Sequence, residues 1–250
     1  SWYYHWATDP IDAAPSKLNF VPMIWGKGSY VNEFLANPAN AKYKTVLSFN
    51  EPDWEDQSDV SVEEAIAAWP AFMASGLRLG SPATAIAAPW SDWFINFMDR
   101  INADANLDLD YIAIHCYLEY ADANAFIQMI DDTWNRWQKP IWITEFGVAE
   151  WNHGNWNGDD TNTRRSVIEF MKKVLPELDK RDYVERYAWF PFDDTDQYGG
   201  ASGLYNVNTG VLNNLGQVYR NLGNPAGYVL PNLDGSIVEG SIPQDRVIVD

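Results

Sequence analysis

The sequence predicts an α/β chain folded as a (β/α)8 TIM-like barrel. Three observations carry that reading: short apolar runs recur along the chain, amphipathic stretches of helical length separate them, and polar or aromatic residues close each run. Strands that alternate with helices imply parallel pairing. The run Tyr111-Ile112-Ala113-Ile114-His115 has the near-continuous apolarity of a strand buried on both faces.

Strands are expected at 2–6, 20–25, 45–50, 78–83, 111–117, 141–146 and 184–192. The clear helices are expected at 62–76, 92–103, 123–137 and 161–178. Ser61 stands at the N-cap position of the first, and Glu63 and Glu64 occupy its first turn, where carboxylates meet the positive end of the helix dipole. A barrel of this kind needs an eighth strand. Either Gly203–Val207 or Arg246–Val249 could supply it, the second only by returning across the whole domain. No hinge-like linker precedes residue 224, so residues 1–223 are expected to form one catalytic β/α barrel and the turn-rich residues 224–250 a tail packed on it.

The chain has 250 residues, 46% of them apolar, which suffices for one large core. A formal charge of −18 argues against nucleic acid and anionic membranes and suits a neutral polysaccharide. The lone cysteine, Cys116, allows no intrachain disulfide. The 13 Trp, 13 Tyr and 11 Phe exceed what a core requires. Flat apolar rings suit the C–H faces of sugars, although an aromatic-rich core is the alternative.

The strongest chemical signal is Phe49-Asn50-Glu51-Pro52-Asp53. Pro52 cannot continue a central strand, so Glu51 is held at a strand's C-terminal end, where barrel active sites sit. Asn50 can hold a sugar hydroxyl while Glu51 protonates a leaving oxygen. The second signal is Ile141-Trp142-Ile143-Thr144-Glu145-Phe146-Gly147, again an apolar run ending in a glutamate. Each glutamate alone could be a solvated or capping carboxylate. Together they form the pair that retaining glycosidases use as acid/base and nucleophile, here Glu51 and Glu145 respectively. Between them, His115 and Tyr117 share one face of a strand and can both enter the site. Tyr117 could hold Glu145 and His115 could position Glu51 or a sugar hydroxyl. Cys116 points the other way as an inert thiol. Trp25, Trp54, Trp90, Trp93, Trp151, Trp156, Trp189 and Phe192 stand at strand ends or in the loops beyond them, and a part of them is expected to touch substrate.

Other chemistries lack their patterns. The three histidines, His5, His115 and His153, show no paired ligand spacing, so no metal is expected. Gly26-Lys27-Gly28 lacks the remaining glycines of a phosphate loop, and no Gly-x-Ser-x-Gly elbow occurs. Asp193-Asp194-Thr195-Asp196 does not have EF-hand spacing and reads as a solvated acidic loop. No cofactor is expected.

The segments at 49–53, 111–117 and 142–147 resemble glycoside hydrolase family 128, as do Trp2–Trp6, Phe20–Gly26 and Tyr187–Phe192 at other strand ends. The resemblance covers roughly residues 1–222. It implies a (β/α)8 barrel acting on β-1,3-glucan with retention, with Glu51 as acid/base and Glu145 as nucleophile. Tyr3 and His5 join the expected substrate-binding set. It also makes the strands of Glu51 and Glu145 the fourth and seventh of the barrel. Trp2–Trp6 would then be the second, leaving the family's opening strand missing or atypical, with Arg246–Val249 as candidate filler. His5 stands where the family leads one to expect Asn, which bears on substrate placement. The expected partner is β-1,3-glucan and its oligosaccharides, acted on by a secreted monomer; secretion follows from the substrate and not from a leader. The alternatives are a glycosidase for β-1,4-glucan, mannan or xylan, and a non-hydrolytic oligosaccharide-binding protein.

Overall fold

The computed structural model describes residues 2–12, 18–151 and 161–222. The expected tail 224–250 with its candidate strand Arg246–Val249, and also His153 and Trp156, lie outside the described residues. The structure is α/β. Its strand segments are β1 (Trp2–Tyr3), β2 (Asn19–Phe20), β3 (Thr45–Val46), β4 (Arg78–Leu79), β5 (Ile112–Leu118), β6 (Ile141–Val148) and β7 (Val184–Trp189). From β2 onward they alternate with α1 (Ser29–Ala36), α2 (Val62–Ala74), α3 (Asp92–Ala103), α4 (Ala123–Trp137), α5 (Thr161–Asp179) and α6 (Asn214–Leu222).

All pairings between these strands are parallel, as the alternation requires. β1 pairs with β2, β3 with β4, and β5, β6 and β7 form one sheet in that order. Single parallel bridges at Met23–Leu47 and Gly80–Tyr111 join the three groups in chain sequence. The ladders of β2 and β4 are shorter than the apolar runs suggest. Pro22 and Pro82 lie within those runs, and proline has no N–H to give to a ladder.

Packing divides the apolar residues into two layers. One cluster draws Trp2, Tyr4, Met23, Leu47, Ala83, Tyr111, Ala113, Trp142 and Ala188, with members from every strand run. The larger cluster lies between sheet and helices and includes Phe49, Trp69, Phe97, Phe126, Phe146 and Trp189. Helix α2 shows how local sequence sets an element: the Ser61 hydroxyl accepts from Glu64 N–H while the Glu64 carboxylate accepts from Ser61 N–H, a reciprocal capping box. On the side of the inner cluster away from the glutamates, Arg78 makes a two-pronged ion pair with Glu185 at 2.6 and 2.8 Å, and Trp142 Nε1 donates to the same carboxylate at 2.7 Å. No described helix is long and apolar enough to cross a membrane.

The expected eighth strand at Gly203–Val207 is not a parallel strand. Tyr205 instead bridges Leu212 in an antiparallel turn, and α6 packs directly on that turn. Gly216 is what lets α6 approach: a Cβ there would stand 1.9 Å from the Leu204 carbonyl oxygen. Gly216→Ala is therefore expected to cost about 1–3 kcal/mol, as overpacking does, and to lower Tm by several degrees in a thermal melt. An unchanged Tm would show that α6 does not bear on the turn.

Candidate active site

The two glutamates reach one place by different local devices. Beyond β3, just after the parallel bridge of Asn50 to Ala83, the chain turns sharply, and Glu51 has a left-handed backbone with φ 44°. A side chain other than glycine held there costs on the order of 1–3 kcal/mol, and the surroundings must fix it. Glu51 N–H donates to Ala83 O at 2.8 Å, and Trp54 N–H closes the turn on Glu51 O at 3.1 Å. Glu145 is aimed by a bulge in β6. Ile114 pairs with Ile143 but His115 pairs with Glu145, so Thr144 is an extra residue. Trp142 and Glu145 are an odd number of residues apart, and the bulge is what allows both to face inward.

His115 bridges the pair. Its Nδ1 lies 2.9 Å from Glu51 Oε1 and its Nε2 lies 3.4 Å from Glu145 Oε1. Burial disfavours charge on the ring, but the Glu145 charge and then the bond to Glu51 outweigh it, so the His115 pKa is raised. Three neutral donors hold Glu145, which is 5% exposed. Tyr4 Oη and Trp6 Nε1 donate to Oε1 at 2.9 and 2.8 Å, and Tyr117 Oη donates to Oε2 at 2.5 Å. Burial, reinforced by the Glu145 charge, pushes both tyrosines well above the ordinary range, so they stay protonated donors. Asn50 Nδ2 donates to Gln57 Oε1 at 3.1 Å, and its buried Oδ1 finds no partner among the described residues. Burial also pushes the Cys116 thiol up to about 12, which keeps it inert.

One donor atom each from Glu51, His115 and Glu145 lies within 4.8 Å of the others, a separation at which a cation could be held. The two His115 nitrogens, on opposite edges of one ring, already face one carboxylate each. That arrangement suits a bridge between acids better than convergence on a single ion.

Both glutamates open into a cavity of about 780 Å³. Trp25, Trp54, Gln57, Ile86 and Trp90 line the side of Glu51, and Trp6, Tyr117, Trp151, Phe190 and Phe192 the side of Glu145; among the described residues neither Lys nor Arg lines it. Trp54, Trp90, Ile86 and Trp151 are about half exposed, as platforms for a ligand would be. The expected residues Asn50, Glu51, Tyr117, Glu145, Trp25, Trp54, Trp151 and Phe192 thus meet here, and His115 lies just behind.

Four candidate ligand contacts stand elsewhere. Trp189 is 1% exposed, packs on Phe146 and donates to Ser202 O at 2.8 Å, so it is core. Tyr3 is buried against Phe20, and His5 stacks on Tyr3 with its Nε2 2.6 Å from Asp9 O. Trp93 likewise stacks on Phe97 and donates to Val60 O. The sequence pattern does not single out Tyr4, Trp6, Gln57, Ile86 or Phe190. Just beyond β1 and β7 it is Tyr4, Trp6 and Phe190 that reach the site, in place of Tyr3, His5 and Trp189. The available signal is an aromatic ring with a polar tip at every position from 2 to 6, which does not reveal the face.

The chain matches the family described as glycosyl hydrolase catalytic core over residues 1–219. It is similar to a solved endo-β-1,3-glucanase of glycoside hydrolase family 128, subgroup I, from Amycolatopsis mediterranei, in complex with laminaripentaose: 31% identity, 89% of this chain, 90% of that one, TM-score 0.73. It shares its fold with an oligosaccharide-binding protein of subgroup VII from Trichoderma gamsii, at 23% identity, 88% of this chain, 85% of that one and TM-score 0.70. Alkali-sensitive linkage protein 1 of Schizosaccharomyces pombe is 26% identical over 234 residues, covering 88% of this chain; the chain spans 40% of that protein's length.

Proposed function

The chain belongs to glycoside hydrolase family 128, and on that premise we propose that it is a retaining endo-β-1,3-glucanase. The observation that carries the reading is the pair Glu51 and Glu145, with carboxylate oxygens within 4.8 Å of each other at the floor of an aromatic cavity. Retaining glycosidases hold their carboxyls about 5–5.5 Å apart, inverting ones about 6.5–9.5 Å to admit a water. Glu51 protonates the leaving oxygen while Glu145 attacks the anomeric carbon. Glu51, now ionised, then takes a proton from the water that releases the sugar.

The residues divide the work. Tyr4, Trp6 and Tyr117 fix both oxygens of Glu145, and His115 holds Glu51 at a set distance from it. The unpaired Asn50 Oδ1 accepts a sugar hydroxyl, and the half-exposed rings carry the sugar faces. We take the enclosing architecture to be a (β/α)8 barrel with an atypical opening strand, formed within residues 1–223. The inner cluster fed by every strand run supports this. Action outside the cell or at a cell wall follows from the polymer.

The test is hydrolysis of linear β-1,3-glucan with product anomers followed by NMR. β-Anomers appearing first and internal cuts are expected. Cleavage of cellulose, mannan or xylan alone would overturn the substrate. Binding of laminari-oligosaccharides with no product would make the protein a sugar-binding member, a role the same fold serves in the Trichoderma gamsii protein.

A further inference from the structure

Asp53 follows the acid turn by two residues and touches neither His115 nor Glu145 within hydrogen-bond reach. Its carboxylate is committed elsewhere: Oδ1 accepts from Ala85 N–H at 2.7 Å and Oδ2 from Ile86 N–H at 3.3 Å. Those two amides begin the segment that carries Ile86 and Trp90 to the cavity. The same segment is stiffened by Thr84 Oγ1 donating to Ile86 O at 2.6 Å and by Trp90 N–H donating to Ala87 O at 2.9 Å. Its near end is pinned to the acid by Glu51 N–H on Ala83 O.

We propose that Asp53 is a positioning residue that clamps the Ala85–Trp90 wall to the turn bearing Glu51, and so sets the width of the cleft beside the acid. The reading rests on the proposed function only for the identity of the sugar. A carboxylate takes two adjacent amide N–H groups in place of water, and charge-assisted bonds of this kind are about twice as strong as neutral ones. Ala87 and Ala88 are buried and anchor the middle of the segment, whereas Ile86 and Trp90 are half exposed, so the clamp at Ala85 and Ile86 is what ties the near end of the wall to the acid turn.

Two measurements on Asp53→Ala test the clamp. Hydrogen exchange at the Ala85 and Ile86 amides is expected to quicken at least about tenfold, as released amides do. Unchanged protection there would overturn the proposal whatever the sugar. Laminarihexaose binding, measured by calorimetry in a Glu145→Gln parent to prevent turnover, is expected to weaken about tenfold. The same substitution in a parent that also carries Trp90→Ala and Ile86→Ala is expected to weaken it less than about twofold, because the wall it serves is gone. An equal loss in both parents would mean that Asp53 acts on the acid itself and would overturn the clamp. If the Glu145→Gln parent binds no laminarihexaose, the proposed substrate falls, and amide exchange still decides the clamp.

Discussion

Glu145→Gln is expected to abolish turnover of β-1,3-glucan, by at least about a thousandfold, while laminarihexaose still binds. The amide cannot form the glycosyl ester, so the two-step route is closed. The fold should not object. The Gln carbonyl can accept from Tyr4 and Trp6, as Oε1 does now. Its NH2 would then face Tyr117, whose hydroxyl can rotate and accept. That contact, 2.5 Å in the carboxylate form, must lengthen. A charge buried at 5% exposure is removed at the same time, so the melting temperature is expected to hold or rise. Stopped product release, with calorimetric affinity within about threefold of that expected for a ground-state ligand, is the result that supports the assignment. Residual activity above about a tenth of wild type would place the nucleophile elsewhere.

Much of this pair is legible in the residues alone. Proline after Glu51, an apolar run before Glu145, and a His-x-Tyr pair on the strand between them each report a strand's end or a strand's face. What stays hidden is geometry with no local signature. The extra Thr144 changes which side Glu145 points to, and no residue in Trp142–Gly147 marks a bulge. The five aromatic or imidazole residues from Trp2 to Trp6 satisfy either parity, so alternation cannot choose Tyr4 and Trp6 over Tyr3 and His5. Trp189 misleads for the same reason: Tyr187, Ala188 and Trp189 all suit a strand, and only packing against Phe146 and Phe170 turns the indole outward. Helices α1 and α6 have eight and nine residues, too short for a clear 3.6-residue period. The segment Gly203–Val207 reads as a strand because its apolar residues serve a turn packed under α6.

Glu51→Ala should be the second large loss, about 10²–10⁴-fold in kcat/KM on laminari-oligosaccharides, the range for removing a general acid. A dinitrophenyl β-glucoside needs little protonation of its leaving group, so its first step should survive and its second should stall. Azide can enter the space left by the carboxylate and attack without base help. Restored turnover and a β-glycosyl azide product are therefore expected; rescue that gives the α-azide would contradict retention. The pH profile adds an independent check through His115, bonded to Glu51 on one side and facing Glu145 on the other. Its raised value means that the proton it contributes is held past the ordinary histidine range near 6.5 and lost as pH rises through the folded value. Any stability it contributes is fully present below the unfolded value and disappears over that same rise. The wild-type enzyme should thus fail on an alkaline limb displaced above pH 6.5, with Tm declining in the same window. In Glu51→Ala supplied with azide the rate limb should flatten, because no proton from the Glu51–His115 pair is then used. A wild-type profile that stays flat to pH 10, or an azide-rescued variant that keeps the limb, would remove Glu51 from the acid role and leave His115 as packing between two carboxylates.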